Sequence, residues 1–99
     1  MDFSTHSVNR YRQRASYKDY FEARKNLENH IDNGMIFTYD ELIEKFKFEV
    51  KYKKGDTYIV WYDNHIKDHM CAIQSNDLMI KTVLPETFYI PRRSRFAYA

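Results

Sequence analysis

Three side chains near the start of the chain have the types and the spacing for chemistry on a phosphate group. His6, Arg10 and Arg14 recur at four-residue steps, which on a helix places them on one stripe that drifts by about 40° per step. A neutral imidazole can act as a general base, and guanidinium groups can stabilise phosphate charge. The alternative is structural, with the two arginines paired to acids of a following helix such as Glu22 or Glu28.

Arginine is concentrated in two short segments of the chain, residues 10–14 and 92–95, which hold six of the seven arginines. Residues 19–49, in contrast, carry eight acids and four bases. Because an arginine fork matches a phosphate bidentately, this partition predicts phosphate recognition, whereas the alternative is a set of solvated faces. The residues predicted to contact nucleic acid are the arginines Arg12, Arg92, Arg93 and Arg95, together with Lys81.

Other chemical sites are weaker. His65 and His69 stand four residues apart, but in a predicted turn and strand rather than on one helix face, so no metal site is predicted. Cys71 is the single cysteine, which excludes an internal disulfide and suits a small buried side chain in an apolar strand. With two glycines in the chain, glycine-rich nucleotide loops are excluded, and no cofactor is predicted.

Helices are expected to position the first of these residues. Ser4 or Thr5 is expected to cap a first helix that runs to Ala15. Ser16 is expected to end that helix and, through the capping-box spacing Ser16 to Asp19, to start a second helix over residues 17–33. Asn33-Gly34 is then a stop that tolerates the left-handed conformation.

The remaining elements are a short helix and a run of strands. The capping pattern that begins at Thr38 predicts a two-turn helix to Phe46. Alternating apolar residues predict an edge strand over 48–53, and a segment apolar on both faces predicts a covered central strand over 57–62. Strands over 69–74 and 78–84 complete the set. The expected fold is α+β, with two N-terminal helices packed on a four-stranded antiparallel sheet.

The length of 99 residues predicts one domain, with a core over residues 3–85 and a basic tail over 86–99. The chain has no run of eighteen apolar residues and no signal-peptide pattern at its start, so no membrane segment is predicted. The single cysteine suits a reducing compartment. The expected location is a bacterial cytoplasm.

The segment from Ser4 to Arg14, Ser-Thr-His-Ser-Val-Asn-Arg-Tyr-Arg-Gln-Arg, resembles the opening of a family of small toxin-like bacterial and phage proteins. That family begins with Ser-x-His-Ala-x-x-Arg-x-x-x-Arg on a helix, and its last strand is similar to residues 79–84. It is grouped with the metal-independent ribonucleases of the barnase, EndoU, colicin and RelE superfamily, in which two helices precede a four-stranded antiparallel sheet. The resemblance spans residues 3–85 and implies His6 as acid and base, Arg10 and Arg14 as phosphate ligands, and Thr82 as a polar support.

Three possible functions follow. The first is a metal-independent endoribonuclease, in which His6 takes the proton of an attacking 2′-hydroxyl while Arg10 and Arg14 stabilise charge on the phosphate. The second is a non-catalytic module that binds nucleic acid or a host protein with the same basic face. RNA is the expected partner, with a host or antidote protein as an alternative. The third possible function is that of a plain interaction protein using the acidic residues 17–49.

Overall fold

The structure is a computed structural model that describes residues 2–86 of the chain. Its elements, in chain order, are β1 (Asp2–Phe3), α1 (Thr5–Ala15), α2 (Tyr20–Asp32), β2 (Met35–Phe37), α3 (Tyr39–Lys45), β3 (Thr57–Asp63), β4 (Asp68–Gln74) and β5 (Met79–Pro85). The strands form one sheet in the order β1-β5-β4-β3-β2, in which only the β1 and β5 pair is parallel. The α+β class is confirmed. The finer prediction is wrong, because within residues 2–86 the sheet is mixed and five-stranded and three helices are present.

Helix α1 is held at both ends by serine. The Oγ of Ser4 accepts a hydrogen bond from the Ser7 N–H at 3.0 Å, so Ser4 is the cap, as one of the two predicted candidates. Ser16 ends the helix in the left-handed conformation, with a φ of 59°. The Ser4 N–H also donates to the Ile80 carbonyl at 2.9 Å. The cap therefore ties the start of α1 to β5 and fixes which face of the helix points outward.

Helix α2 starts later than the capping-box spacing predicted. Asp19, rather than Ser16, is its cap, with Oδ2 accepting from the Glu22 N–H at 2.8 Å. The helix ends beside Gly34 as predicted, but Gly34 is not in the left-handed conformation. A Cβ on Gly34 would lie 2.7 Å from Cγ2 of Ile59, so glycine is needed for close approach to β3 rather than for a left-handed turn.

The predicted edge strand over residues 48–53 is wrong. Within the described residues this segment pairs with no strand, and Met35–Phe37 pairs with β3 at that edge instead, with Met35 opposite Val60. The alternation of apolar and polar residues in this segment still predicts burial correctly, since Phe48 is buried while Glu49 is exposed. The segment packs an apolar side onto the sheet without joining its hydrogen-bond ladder.

Both faces of the sheet are covered. On one face α1 and α2 pack with Ile59 and Trp61 of β3, and on the other α3 and the segment after it pack with Tyr58 and Val60. The prediction of a central strand covered on both sides is therefore confirmed. No helix within residues 2–86 is both long and apolar enough to span a membrane.

Candidate functional site

The outward side of α1 carries part of the predicted stripe. His6 and Arg10 are exposed, and together with Asn9 and Gln13 they line one shallow depression. We call these four residues the α1 outer surface. They offer an imidazole, a guanidinium and two amides and include no carboxylate, which is a composition suited to contacts with an anion such as a phosphate.

Arg14, the third member of the stripe, turns toward the sheet. Its Nη1 donates to the Val83 carbonyl at 3.1 Å, and its side chain is half-buried. The drift of the stripe around the helix accounts for this, because each four-residue step rotates the side chain further toward β5. Arg14 thus joins α1 to β5.

The predicted residues of β5 do not join His6. Thr82 pairs with Ile73, whose side chain lies in the apolar cluster on the α3 side of the sheet. Because paired residues of antiparallel strands share a face, Thr82 points away from α1. Lys81 lies at the register shift between the pairs Ile73–Thr82 and Gln74–Ile80. Its Nζ contacts Oδ2 of the buried Asp56 side chain at 2.8 Å.

Of the remaining residues predicted to contact nucleic acid, one makes a local hydrogen bond on α1 and the others lie near the end of the chain. Arg12 is half-buried, and its Nε donates to Oδ1 of Asn9 at 3.4 Å. Arg92, Arg93 and Arg95 lie outside the described residues, as does the basic tail after Glu86.

A second polar site, which was not predicted from the sequence, lies inside the domain around Asp63. This side chain is fully buried. Its Oδ2 accepts from the Tyr11 hydroxyl at 2.7 Å and from the Trp61 Nε1–H at 3.2 Å. Its Oδ1 accepts from the backbone N–H groups of His65 and Ile66 at 3.0 and 3.3 Å. Each oxygen of the carboxylate therefore accepts from two donors.

These contacts fix the charge state of Asp63. Burial alone would raise its pKa, but the hydrogen bonds from Tyr11 and Trp61 and the nearby His30 imidazole outweigh burial and hold the pKa below the usual value. The Tyr11 hydroxyl responds oppositely, because burial and then its bond to Asp63 raise its pKa. The pair is thus a carboxylate and a neutral phenol at neutral pH.

His30 is the member of this site nearest to solvent. Its Nε2 lies 3.5 Å from Oδ2 of Asp63, and 28% of its side chain is exposed. The imidazole stacks on Trp61 with the ring planes 6° apart and the centroids 5.5 Å apart, and it meets Tyr11 edge-on. We call these four residues, Tyr11, His30, Trp61 and Asp63, the Asp63 network. The other three residues contact the His30 imidazole from three sides.

A cavity of about 440 Å³ opens beside His30. It lies at the edge of β3 beyond the end of β2, because β2 ends opposite Val60 and no other strand within residues 2–86 pairs with Trp61, Tyr62 or Asp63 on that side. We call it the β3-edge cavity. Its lining residues are His30, Asn33, Gly34, Met35, Phe37, Phe46, Val60, Trp61, Tyr62 and His69.

Two features of the sequence could have pointed to the Asp63 network. Tyr11 lies between Val8 and Ala15 on the apolar side of the first helix, where a buried phenol needs a hydrogen-bond partner. Asp63 directly follows an apolar strand, where its carboxylate would have to be satisfied on folding. That the two residues are partners has no signal in the sequence, because 52 positions separate them.

Comparisons with protein-family models, with curated proteins and with solved structures found no match to this chain. The resemblance to the toxin-like ribonucleases accordingly stays a prediction. Within residues 2–86 no three His, Cys, Asp or Glu side chains are grouped to hold a metal ion.

Proposed function

We propose that this protein binds RNA through the α1 outer surface, as a non-catalytic nucleic-acid-binding module. The observation that carries the proposal is the depression lined by His6, Asn9, Arg10 and Gln13. It presents several hydrogen-bond donors on a helix whose opposite side is fastened to the sheet. A rigid donor surface without a carboxylate suits contacts to phosphate and ribose oxygens, which supply most of non-specific affinity.

Binding is favoured over catalysis by the separation of the predicted residues. A general base is normally oriented by a partner, and within residues 2–86 the structure gives His6 no hydrogen bond or ion pair. Arg14 is engaged with the Val83 carbonyl, and Thr82 lies on the other face of the sheet. One cation, Arg10, is left beside the imidazole, which is enough to contact a phosphate.

The test is a titration of fluorescein-labelled single-stranded RNA followed by anisotropy at several salt concentrations. Arg10→Ala should weaken binding roughly 10-fold at low salt, because a charge-assisted hydrogen bond is lost. It should also lower the magnitude of the slope of log Kd against log salt by about 0.7, the value for one phosphate contact on a single strand.

The matched control is Lys51→Ala, which removes the same charge from an exposed position on the segment between α3 and β3. Its affinity should stay within about twofold of the unaltered protein. Equal losses in the two variants would contradict a defined interface on α1. Absence of salt-dependent binding would contradict RNA recognition altogether.

The metal-independent ribonuclease is the second candidate, favoured by the position of His6 one helical turn from Arg10 in the same depression. If it is correct, cleavage should survive EDTA, leave 2′,3′-cyclic phosphate ends and spare DNA, which lacks the attacking hydroxyl. His6→Ala should then lower the rate by roughly two to four orders of magnitude while leaving affinity nearly unchanged. Binding without any cleavage would exclude this candidate.

A further inference from the structure

The β3-edge cavity has walls of planar rings. The indole of Trp61 and the imidazole of His30 stack on each other at one wall. At a second wall, the His69 ring contacts the rings of Tyr62 and Phe46, and its centroid lies 5.2 Å from the centroid of each. Tyr62 is half exposed at the mouth. The volume of the β3-edge cavity, about 440 Å³, lies in the range of cavities that hold small planar ligands.

Within residues 2–86, the β3 edge at the cavity also presents backbone hydrogen-bonding groups that no neighbouring strand pairs. The His69 carbonyl accepts from the Glu86 N–H, so the backbone groups of His69 face β5. Tyr62 pairs with His69, and its own N–H and C=O must therefore face the opposite edge of β3. On that edge β2 has already ended, at Met35 opposite Val60. A backbone donor and acceptor are thus presented side by side to the cavity.

The Asp63 network makes the wall behind these groups rigid before any ligand arrives. Asp63 anchors the Trp61 indole by a hydrogen bond at 3.2 Å and lies 3.5 Å from the His30 Nε2. Side chains that are already ordered lose little conformational entropy on binding. A flat ligand can therefore enter without rearrangement of the buried side.

We propose that the β3-edge cavity binds a nucleobase. A base has an aromatic face that stacks on Tyr62 or His69 and an edge of alternating donors and acceptors that matches the backbone N–H and C=O of Tyr62. For RNA, this step rests on the function proposed above and names the part of the strand that enters the protein. A free nucleotide presents the same base to the same cavity.

Trp61 supplies the readout, because it is the single tryptophan and lines the cavity. The four ribonucleoside 5′-monophosphates and a short single-stranded RNA are each titrated while the indole fluorescence is followed. At least one nucleotide should quench it saturably, and ribose 5-phosphate, which lacks the base, should not. Absence of saturable quenching by all four nucleotides, or equal quenching by ribose 5-phosphate, would overturn the proposal.

Variants at the mouth locate the site. Tyr62→Ala should weaken nucleotide binding roughly 5- to 100-fold through loss of ring stacking, whereas Tyr62→Phe, which keeps the ring, should stay within about threefold. Because Tyr62 is half exposed, both variants should unfold at nearly the same temperature as the unaltered protein. Unchanged nucleotide binding in Tyr62→Ala would overturn the assignment of the base to this cavity.

The outcomes separate this inference from the RNA-binding proposal. If RNA affinity depends on Arg10 but neither RNA nor nucleotides respond to Tyr62→Ala, the α1 surface stands and the nucleobase cavity is wrong. If nucleotides bind and respond to Tyr62→Ala while RNA does not bind, the cavity stands and RNA binding is wrong. Lys51→Ala, at an exposed position outside the lining of the cavity, is the control for the nucleotide titration, and its nucleotide affinity should be nearly unchanged.

Discussion

The α1 outer surface and the Asp63 network meet at one helix, because the exposed surface lies on α1 and Tyr11, on the buried side of α1, belongs to the network. His6 and Arg10 face solvent, and their arrangement follows from spacing within α1. Tyr11 faces the core and reaches Asp63 across 52 positions of sequence. An exposed set of this kind contributes little to folding and is free to meet a partner. A buried network stabilises the domain and orients those of its own rings, here His30 and Trp61, that line the β3-edge cavity.

The sharpest way to break this comparison is to remove the carboxylate on the buried side. Asp63→Ala leaves the Tyr11 hydroxyl, the Trp61 Nε1–H and two backbone N–H groups without their acceptor. We expect the free energy of unfolding to fall by about 3 to 5 kcal/mol, since buried donors without partners are costly. Urea denaturation followed by Trp61 fluorescence measures the change.

Tyr11→Phe is the graded control for that loss. It removes one hydrogen bond to Asp63 and leaves the other donors in place, so it should lower the free energy of unfolding by about 1.5 to 3 kcal/mol. If Asp63→Ala were no more costly than Tyr11→Phe, the four residues would not act as one network.

The same contrast explains how much of the molecule could be predicted from its sequence. The Thr38 capping box was found, and its second bond, from the Thr38 N–H to Glu41 Oε1 at 2.9 Å, is present. The central strand was found because it is apolar on both faces. Strand β1, Asp2–Phe3, is too short to have a period. The segment after α3 has the alternation of a strand, but only the folded sheet decides that Met35–Phe37 takes that edge.

Change of pH should distinguish the two regions next. The pKa of Asp63 is lower in the folded protein, so between the folded and unfolded pKa values the unfolded chain binds more protons, and stability falls as the pH drops below about 4. The pKa of Tyr11 is raised by burial and by Asp63, so above about pH 10 the unfolded chain releases a proton that the folded protein keeps. Stability should then fall by about 1.4 kcal/mol per pH unit from this group alone.

Urea denaturation between pH 10 and 11 isolates the alkaline component. Over this interval the unfolded tyrosine is only partly ionised, so Tyr11→Phe should reduce the loss of stability by about 1 kcal/mol. Burial raises the pKa of Tyr58 and raises that of Cys71 to about 12, and both groups keep their contributions in either protein. Arg10→Ala should leave the slope unchanged, and an unchanged slope in Tyr11→Phe would mean that the Tyr11 hydroxyl does not titrate with folding.

The smallest expected effect lies at Arg14, which spacing assigns to the exposed stripe and the structure attaches to β5. Arg14→Ala removes the hydrogen bond from Nη1 to the Val83 carbonyl and the packing of its half-buried stem, and should lower the free energy of unfolding by about 1 kcal/mol. His6→Ala, at an exposed position, should change it by less than about 0.5 kcal/mol. In the RNA titration Arg14→Ala should keep most of its RNA affinity, whereas Arg10→Ala should lose RNA affinity. Arg14→Ala could instead keep full stability and lose RNA affinity as strongly as Arg10→Ala. In that case His6, Arg10 and Arg14 would act as one surface. The boundary between the two regions would then lie between Arg14 and the sheet rather than along the helix.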